Sequence, residues 1–327
     1  MARWQRAFGI LSIGLVLAGC GPLSTPGEPL TPLSTPPTTA APTEAAIPST
    51  SAGAAQLPAP TMTLVPTAVP GMQGSGHSYN PGISADGRWV VFQSEARNLV
   101  EGDTNRVSDI FVHDRQTGTT ERVSVASDGA QGDGESGIMS HQEGWSAGLS
   151  ISADGRWVAF TSSASNLAAG DTNECDDPIR GPHNCYDVFV HDLQTGATVR
   201  VSVASDGTQS DDESDAPSIS ADGRWMAFMS SASNLVAGDT NECPYSSGSP
   251  NCPDVFVRDL QTGTTERVSV ASDGTQANEV SVASGVSADG RWVVFWSLAS
   301  NLVADDSNGF MDVFVHDRRT GRTERVP

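Results

Sequence analysis

From residue 83 onward, apolar and polar positions alternate in short runs, each closed by Gly, Asn, Asp or Ser. In the stretch 149–203 the runs fall at 149–152, 157–161, 187–192 and 198–203, with Val158, Phe160, Val188, Val190, Val199, Val201 and Val203 at the alternating positions. A period of two built from β-branched and aromatic residues predicts strands, and no window shows a helical period. The Asp-Gly after the first run and the Thr-Gly after the third are tight-turn signals, which join neighbouring runs as antiparallel hairpins.

The pattern occurs four times. Ile83, Ile151, Ile219 and Val286 each precede Ser-Ala-Asp-Gly-Arg-Trp, so the copies start 68, 68 and 67 residues apart. Copies two and three carry insertions between Asp171 and Asp187 and between Asp239 and Asp254, and copy one carries an insertion in its link to copy two. Without these the period is 58 residues throughout. Length change confined to two loop positions marks a strand framework with tolerant surface loops. The predicted fold class is all-β: a β-propeller of four repeats, each a four-stranded antiparallel blade, after a disordered tether. In such a blade the first and third turns share one face of the disc, while the second turn and the link share the other. The long loops and much of the acid, including Asp211, Asp212, Glu213 and Asp215, therefore gather on one face, which is the face expected to bind.

The repeat also carries a resemblance. Ile-Ser-Ala-Asp-Gly-Arg-Trp-Val-Ala-Phe at 151–160, followed by Asp-Val-Phe-Val-His-Asp at 187–192, resembles the propeller repeat of the TolB type, a PD-type, WD-like blade with an Ile-Ser-Pro-Asp-Gly turn. Ala85, Ala153, Ala221 and Ala288 stand where that family usually has Pro. The resemblance spans all four copies and implies a non-catalytic protein-binding or polymer-binding propeller, although a fold of this kind hosts many functions.

The front of the chain reads differently. Arg3 and Arg6 precede an apolar stretch at 10–16 and then Leu17-Ala18-Gly19-Cys20, which resembles the lipobox of bacterial lipoproteins, where the Cys is diacylated. An ordinary cleaved signal with an incidental Cys is the alternative, and either one exports the chain. Residues 21–76 are dominated by Pro, Thr, Ser and Ala and read as a disordered linker or a glycosylated stalk. The propeller then occupies 77–327. Expected partners are the membrane, through lipid at Cys20, and an unidentified envelope protein or polymer, with the domain held on the periplasmic side or the cell surface. The formal charge is −21 and all 18 basic residues are Arg. So negative a surface repels phosphate backbones and excludes nucleic acid.

Candidate chemistry lies in the loops. Cys175 with Cys185, and Cys243 with Cys252, fall each within one insertion and predict disulfides in an oxidising compartment. Zinc is the alternative, but no pair has knuckle spacing and only His183 is near. Each copy also has Asp-x-Asn followed by Asp: Asp103, Asn105 and Asp109; Asp171, Asn173 and Asp187; Asp239, Asn241 and Asp254; Asp306, Asn308 and Asp312. Alternating oxygen side chains suit a hard cation such as Ca²⁺, whereas Asx-turns need no metal. Asp86, Asp154, Asp222 and Asp289 read as turn caps, and Trp89, Trp157, Trp225 and Trp292 as packing between blades. His113, His191 and His316 share a position with Arg258, which suggests an exposed strand site. No nucleophile elbow, metalloprotease helix or phosphate loop occurs. The chain reads as a non-enzyme, with a polysaccharide lyase or glycosidase using clustered Asp and Glu as the alternative. The blades are expected to close as a four-bladed monomer sealed by Trp89 and Trp292, with an open arc that dimerises as the alternative.

Overall fold

The computed structural model describes residues 73–137, 148–177, 181–243 and 251–326. Cys20 and all but the last residues of the expected tether lie outside this range. The first sheet contains β1 (Ser78–Ile83), β2 (Trp89–Ser94), β3 (Asp109–Asp114) and β4 (Thr119–Arg122). In the second copy β5 (Leu149–Ile151) and β6 (Trp157–Ser162) are followed by a hairpin, β7 (Glu174–Asp177) and β8 (Gly181–Asn184), before β9 (Asp187–Asp192) and β10 (Ala197–Arg200). The third sheet holds β11 (Ser214–Ile219), β12 (Trp225–Ser230), β13 (Asp254–Asp259) and β14 (Thr265–Arg267). The fourth holds β15 (Ser281–Val286), β16 (Trp292–Ser297), β17 (Asp312–Asp317) and β18 (Arg322–Val326).

Each copy forms one antiparallel four-stranded sheet in chain order, with the β7–β8 hairpin standing apart as a small sheet of its own. That hairpin lies inside the insertion of copy two, where period-two reading found no strand. The two middle strands of every sheet pair over six residues, which sets Phe92 against Phe111, Phe160 against Phe189, Phe228 against Phe256 and Phe295 against Phe314. These rings stack with centroids 5.7–5.9 Å apart. Seven of the eight are fully buried, each contributing roughly 1.5–3 kcal/mol.

The cores lie between sheets rather than within one. Val91, Ile110 and Val112 of the first sheet meet Leu149, Val158 and Phe160 of the second. Val188 and Val190 meet Met226 and Phe228, and Val255 and Val257 meet Val293 and Phe295. A sheet with two apolar faces must be sandwiched, so the blades are stacked in series.

The Ser-Ala-Asp-Gly-Arg-Trp turns explain how one blade seats on the next. Ser84 Oγ donates to Asp86 Oδ1 (2.5 Å), the Arg88 amide donates to the same oxygen (2.9 Å), and the Trp89 amide donates to Ser84 Oγ (3.0 Å). The following Gly has a φ of about +70° in all four turns, a left-handed conformation that favours glycine. In three of them it also has no room for a side chain: a Cβ on Gly155 would lie 2.1 Å from Trp89, one on Gly223 2.1 Å from Trp157, and one on Gly290 2.2 Å from Trp225. Trp89, Trp157 and Trp225 are therefore packing residues that reach forward onto the next blade's turn.

The expected packing of blade four on blade one is not seen among the described residues. The sheets pack first on second, second on third and third on fourth. Trp292 stays 38% exposed, and only Arg115 and Ile83 approach Gly87. Closing a ring with four blades demands a large turn at each join. Each of the three joins present is made by an indole seated on the next blade's glycine turn, and the outer faces of blades one and four stay partly exposed.

Candidate functional site

Strand order puts the Asp-Gly and Thr-Gly turns at one edge of every blade and the long loops at the other, as the repeat predicts. Both edges are built around aspartate and arginine. At the short-turn edge Arg88, Arg156, Arg224 and Arg291 each grip the last residue of the third strand, Asp114, Asp192, Asp259 and Asp317, through two hydrogen bonds of 2.7–3.0 Å. Each guanidinium also lies 4.5 Å over its neighbouring indole. Such bidentate, ring-backed pairs hold the plug tryptophans in place.

At the long-loop edge the twelve Asp-x-Asn and Asp residues do come together, but around arginine. Arg122 Nη1 is 3.4 Å from both Asp103 and Asp109; Arg200 Nη1 is 3.0 Å from Asp171 and 3.4 Å from Asp187. Arg267 holds Asp239 and Asp254 at 2.8 and 3.4 Å, and Arg325 holds Asp306 and Asp312 at 3.2 and 3.3 Å. Asn105 and Asn308 donate to the strand carboxylates Asp109 and Asp312, while Asn173 and Asn241 donate to the carbonyls of Ser210 and Ala277. A guanidinium donor occupies the point where a Ca²⁺ ion would need six to eight oxygens, so this ligand set does not fit the ion well. Among the described residues, the buried Asn173 Oδ1 and Asn241 Oδ1 have no protein donor. In sequence the arginine stands in every copy as Arg-Val in the fourth run. Nothing in linear spacing says that it folds back onto the loop.

The shared His/Arg position is not exposed. His191 and His316 are buried, and His113, His191 and His316 place Nδ1 2.8–2.9 Å from the hydroxyls of Thr120, Thr198 and Thr323. Thr198 and Thr323 donate those hydroxyls to the carbonyls of Val125 and Val270 in the preceding link, so His191 and His316 carry the proton on Nδ1. Burial pushes His191 down to about 4. Arg258 serves the same geometry, donating to Thr265 and to Val203.

Both expected disulfides, Cys175 to Cys185 and Cys243 to Cys252, are present. The first staples the β7–β8 hairpin, which carries His183 onto the long-loop edge of blade two. There His183 Nε2 lies 2.9 Å from Glu213 Oε1, the Tyr186 amide donates to Glu213 Oε2 (2.7 Å), and the Tyr186 hydroxyl reaches Glu135 Oε2 (3.3 Å). These residues come from three separate segments: the insertion, the link out of blade two and the link out of blade one. Burial pushes the Glu213 carboxyl up to about 7, against the pull of the Tyr186 amide and His183. An acid that titrates near neutrality, beside an imidazole, a phenol and a second carboxylate, can bind basic groups or exchange protons. Glu213 was legible as part of the acidic link. Its partners were not, because His183 and Tyr186 are brought to it by the disulfide-closed hairpin.

No known protein family matches the chain, and no curated protein does. Among solved structures it is similar to TolB from Acinetobacter baumannii, with 16% identity over 76% of this chain and 43% of that one and a TM-score of 0.42. It is likewise similar to the acylaminoacyl peptidase of Pyrococcus horikoshii, with 13% identity over 77% of this chain and 32% of that one and a TM-score of 0.43. For the tricorn protease the values are 11%, 77%, 22% and 0.44. The chain thus spans less than half the length of each. The blade architecture stands on the four sheets described above.

Proposed function

We propose that this chain is an exported, non-catalytic propeller-type module that binds an envelope protein or polymer through its long-loop edge. The supporting observation is the asymmetry between edges. The short turns repeat one construction four times, whereas both loop insertions, both disulfides and the His183, Glu213, Tyr186 and Glu135 cluster sit at the opposite edge. Framework repeats because packing demands it, and departures from the repeat concentrate where a partner is met. The disulfides accord with an oxidising compartment, and lipid at Cys20 would tether the module to the membrane through the linker. Acidic groups on this edge favour basic protein surfaces.

A second reading takes Glu213 as a general acid or base acting on an envelope polysaccharide, because its carboxyl titrates near neutrality beside Tyr186 and His183. One comparison separates the two: full chain used as bait on solubilised envelope, and the same preparation offered polysaccharide substrates. Specific capture without turnover supports binding. Turnover that Glu213→Gln abolishes would replace the first reading with the second.

A further inference from the structure

The three joins inside the arc share one construction, in which an indole of one blade covers the glycine turn of the next: Trp89 on Gly155, Trp157 on Gly223 and Trp225 on Gly290. The two ends of the arc carry the separate halves of that construction. On blade four, Val294 and Val313 are 36% and 43% exposed, whereas their repeat equivalents Val91, Ala159 and Ala227, and Ile110, Val188 and Val255, are fully buried, and Trp292 is 38% exposed where Trp89, Trp157 and Trp225 are half-buried. On blade one, Ile83 is 57% exposed and Val90 and Phe92 are only partly covered, while the equivalents Val158 and Phe160 are fully buried. One end is a plug and the other a socket.

The polar parts match as well. At the join of blades three and four, Arg318 donates to the Gly290 carbonyl, stacks 3.9 Å over Trp225 and pairs with Glu266. Copies two and three have Leu193 and Leu260 at the arginine position, so this version of the join is particular to blade four. Blade one repeats its receiving half: Arg115 donates to the Gly87 carbonyl at 2.7 Å. Blade four repeats its offering half, since Trp292 follows Trp225 and Glu324 follows Glu266 in the repeat. Among the described residues, Glu324 pairs with its exposed neighbour Arg322. We propose that the open faces of blades four and one are complementary halves of one interface, and that a second copy of this chain docks there head to tail.

In the docked pair Trp292 of each copy covers the Gly87 turn of the other beneath Arg115, and Glu324 meets Arg115. The contact is heterologous, and two copies related by a twofold axis make it twice, which closes eight blades, the upper end of the usual propeller range. Burying the exposed valines, Ile83 and Phe92 supplies the apolar drive, and the ion pair fixes the register.

The test uses two full-length chains with different tags, co-expressed, one carrying Arg115→Cys and the other Glu324→Cys, treated with a short bis-maleimide. A covalent product bearing both tags is expected, and adding Trp292→Ala to the Glu324→Cys chain should cut its yield tenfold or more. Peptide mapping of the two native disulfides verifies that each variant is folded. Wild-type chain in detergent should sediment with the mass of two copies. A two-tag yield no higher than that of a remote control pair, Gln261→Cys with Glu324→Cys, would overturn the proposal. So would cross-linking confined to one chain when both cysteines are placed in it, which would mean that blade four closes on blade one of its own copy.

Discussion

Each blade holds aspartate paired with arginine at both ends of its third strand, and in the first three blades the two pairs behave in opposite ways. At the short-turn end, Asp114, Asp259 and Asp317 are held well below the usual carboxylate range by the paired hydrogen bonds from Arg88, Arg224 and Arg291. At the long-loop end, burial raises Asp109, Asp187 and Asp254 despite a nearby arginine and a serine hydroxyl, and it raises Asp171 to about 6. The difference lies in donors against desolvation. A half-exposed arginine that aims two N–H groups at one carboxylate stabilises the charge outright. One guanidinium shared at longer range between two dry carboxylates does not offset the cost of removing both from water. The short-turn edge is thus a set of satisfied clamps, and the long-loop edge stores charge that is poorly solvated.

The largest effect that would sharpen this contrast is loss of a long-loop arginine. Arg200→Ala leaves Asp171 and Asp187 buried without a cation and should cost about 3–5 kcal/mol, read as a drop in the denaturation midpoint of the full chain. Arg156→Ala removes a clamp whose arginine is half in water, so its effect should be clearly smaller, and an equal or larger loss would break the comparison.

The pH dependence comes next. The lowered carboxylates Asp114, Asp259 and Asp317 contribute stability above about pH 4 that is lost as pH falls further. The raised groups act with the other sign: folded Glu213 and Asp171 keep protons that the unfolded chain releases, so stability declines as pH rises from about 4 to about 7. Buried His191 and His316, lowered by desolvation, oppose this decline over the same window, so the carboxylate contribution is read by difference: Glu213→Gln should gain in midpoint relative to wild type as pH rises from about 4 to about 7. Midpoints of wild type and Glu213→Gln that run parallel from about pH 4 to about pH 7 would show that Glu213 is not desolvated as described. The smallest effect concerns calcium. With arginine between the carboxylates, millimolar Ca²⁺ and chelator should give equal midpoints, and a rise that Asp306→Ala removes would restore the loops as ion sites.

How much of this was legible depended on the range of the interaction. The strands, tight turns and sheet order are local or repeat at fixed period, so alternation around Val158 and Phe160 and the Asp-Gly turns showed them directly. The tryptophan packing and the disulfides were also readable, because they recur at one framework position or fall within one insertion. The return of Arg122, Arg200, Arg267 and Arg325 onto the loops was hidden, since it depends on the register of the fourth strand against the third. His191 misled for a related reason. Accepting His or Arg at one position looks like exposure, but it reflects a shared need to donate to the threonine beside it. Closure was not legible, because four copies count blades without saying whether the first packs on the last.

Binding at the long-loop edge is the central claim, and one experiment addresses it most directly. Full-length wild type, the double variant Glu135→Gln and Glu213→Gln, and the short-turn double variant Asp86→Asn and Asp154→Asn are used side by side to capture envelope material. The account predicts that the long-loop variant loses at least tenfold in captured partner while the short-turn variant keeps wild-type capture. Unchanged capture by the long-loop variant, together with loss in the short-turn one, would place the binding surface on the opposite edge and contradict it.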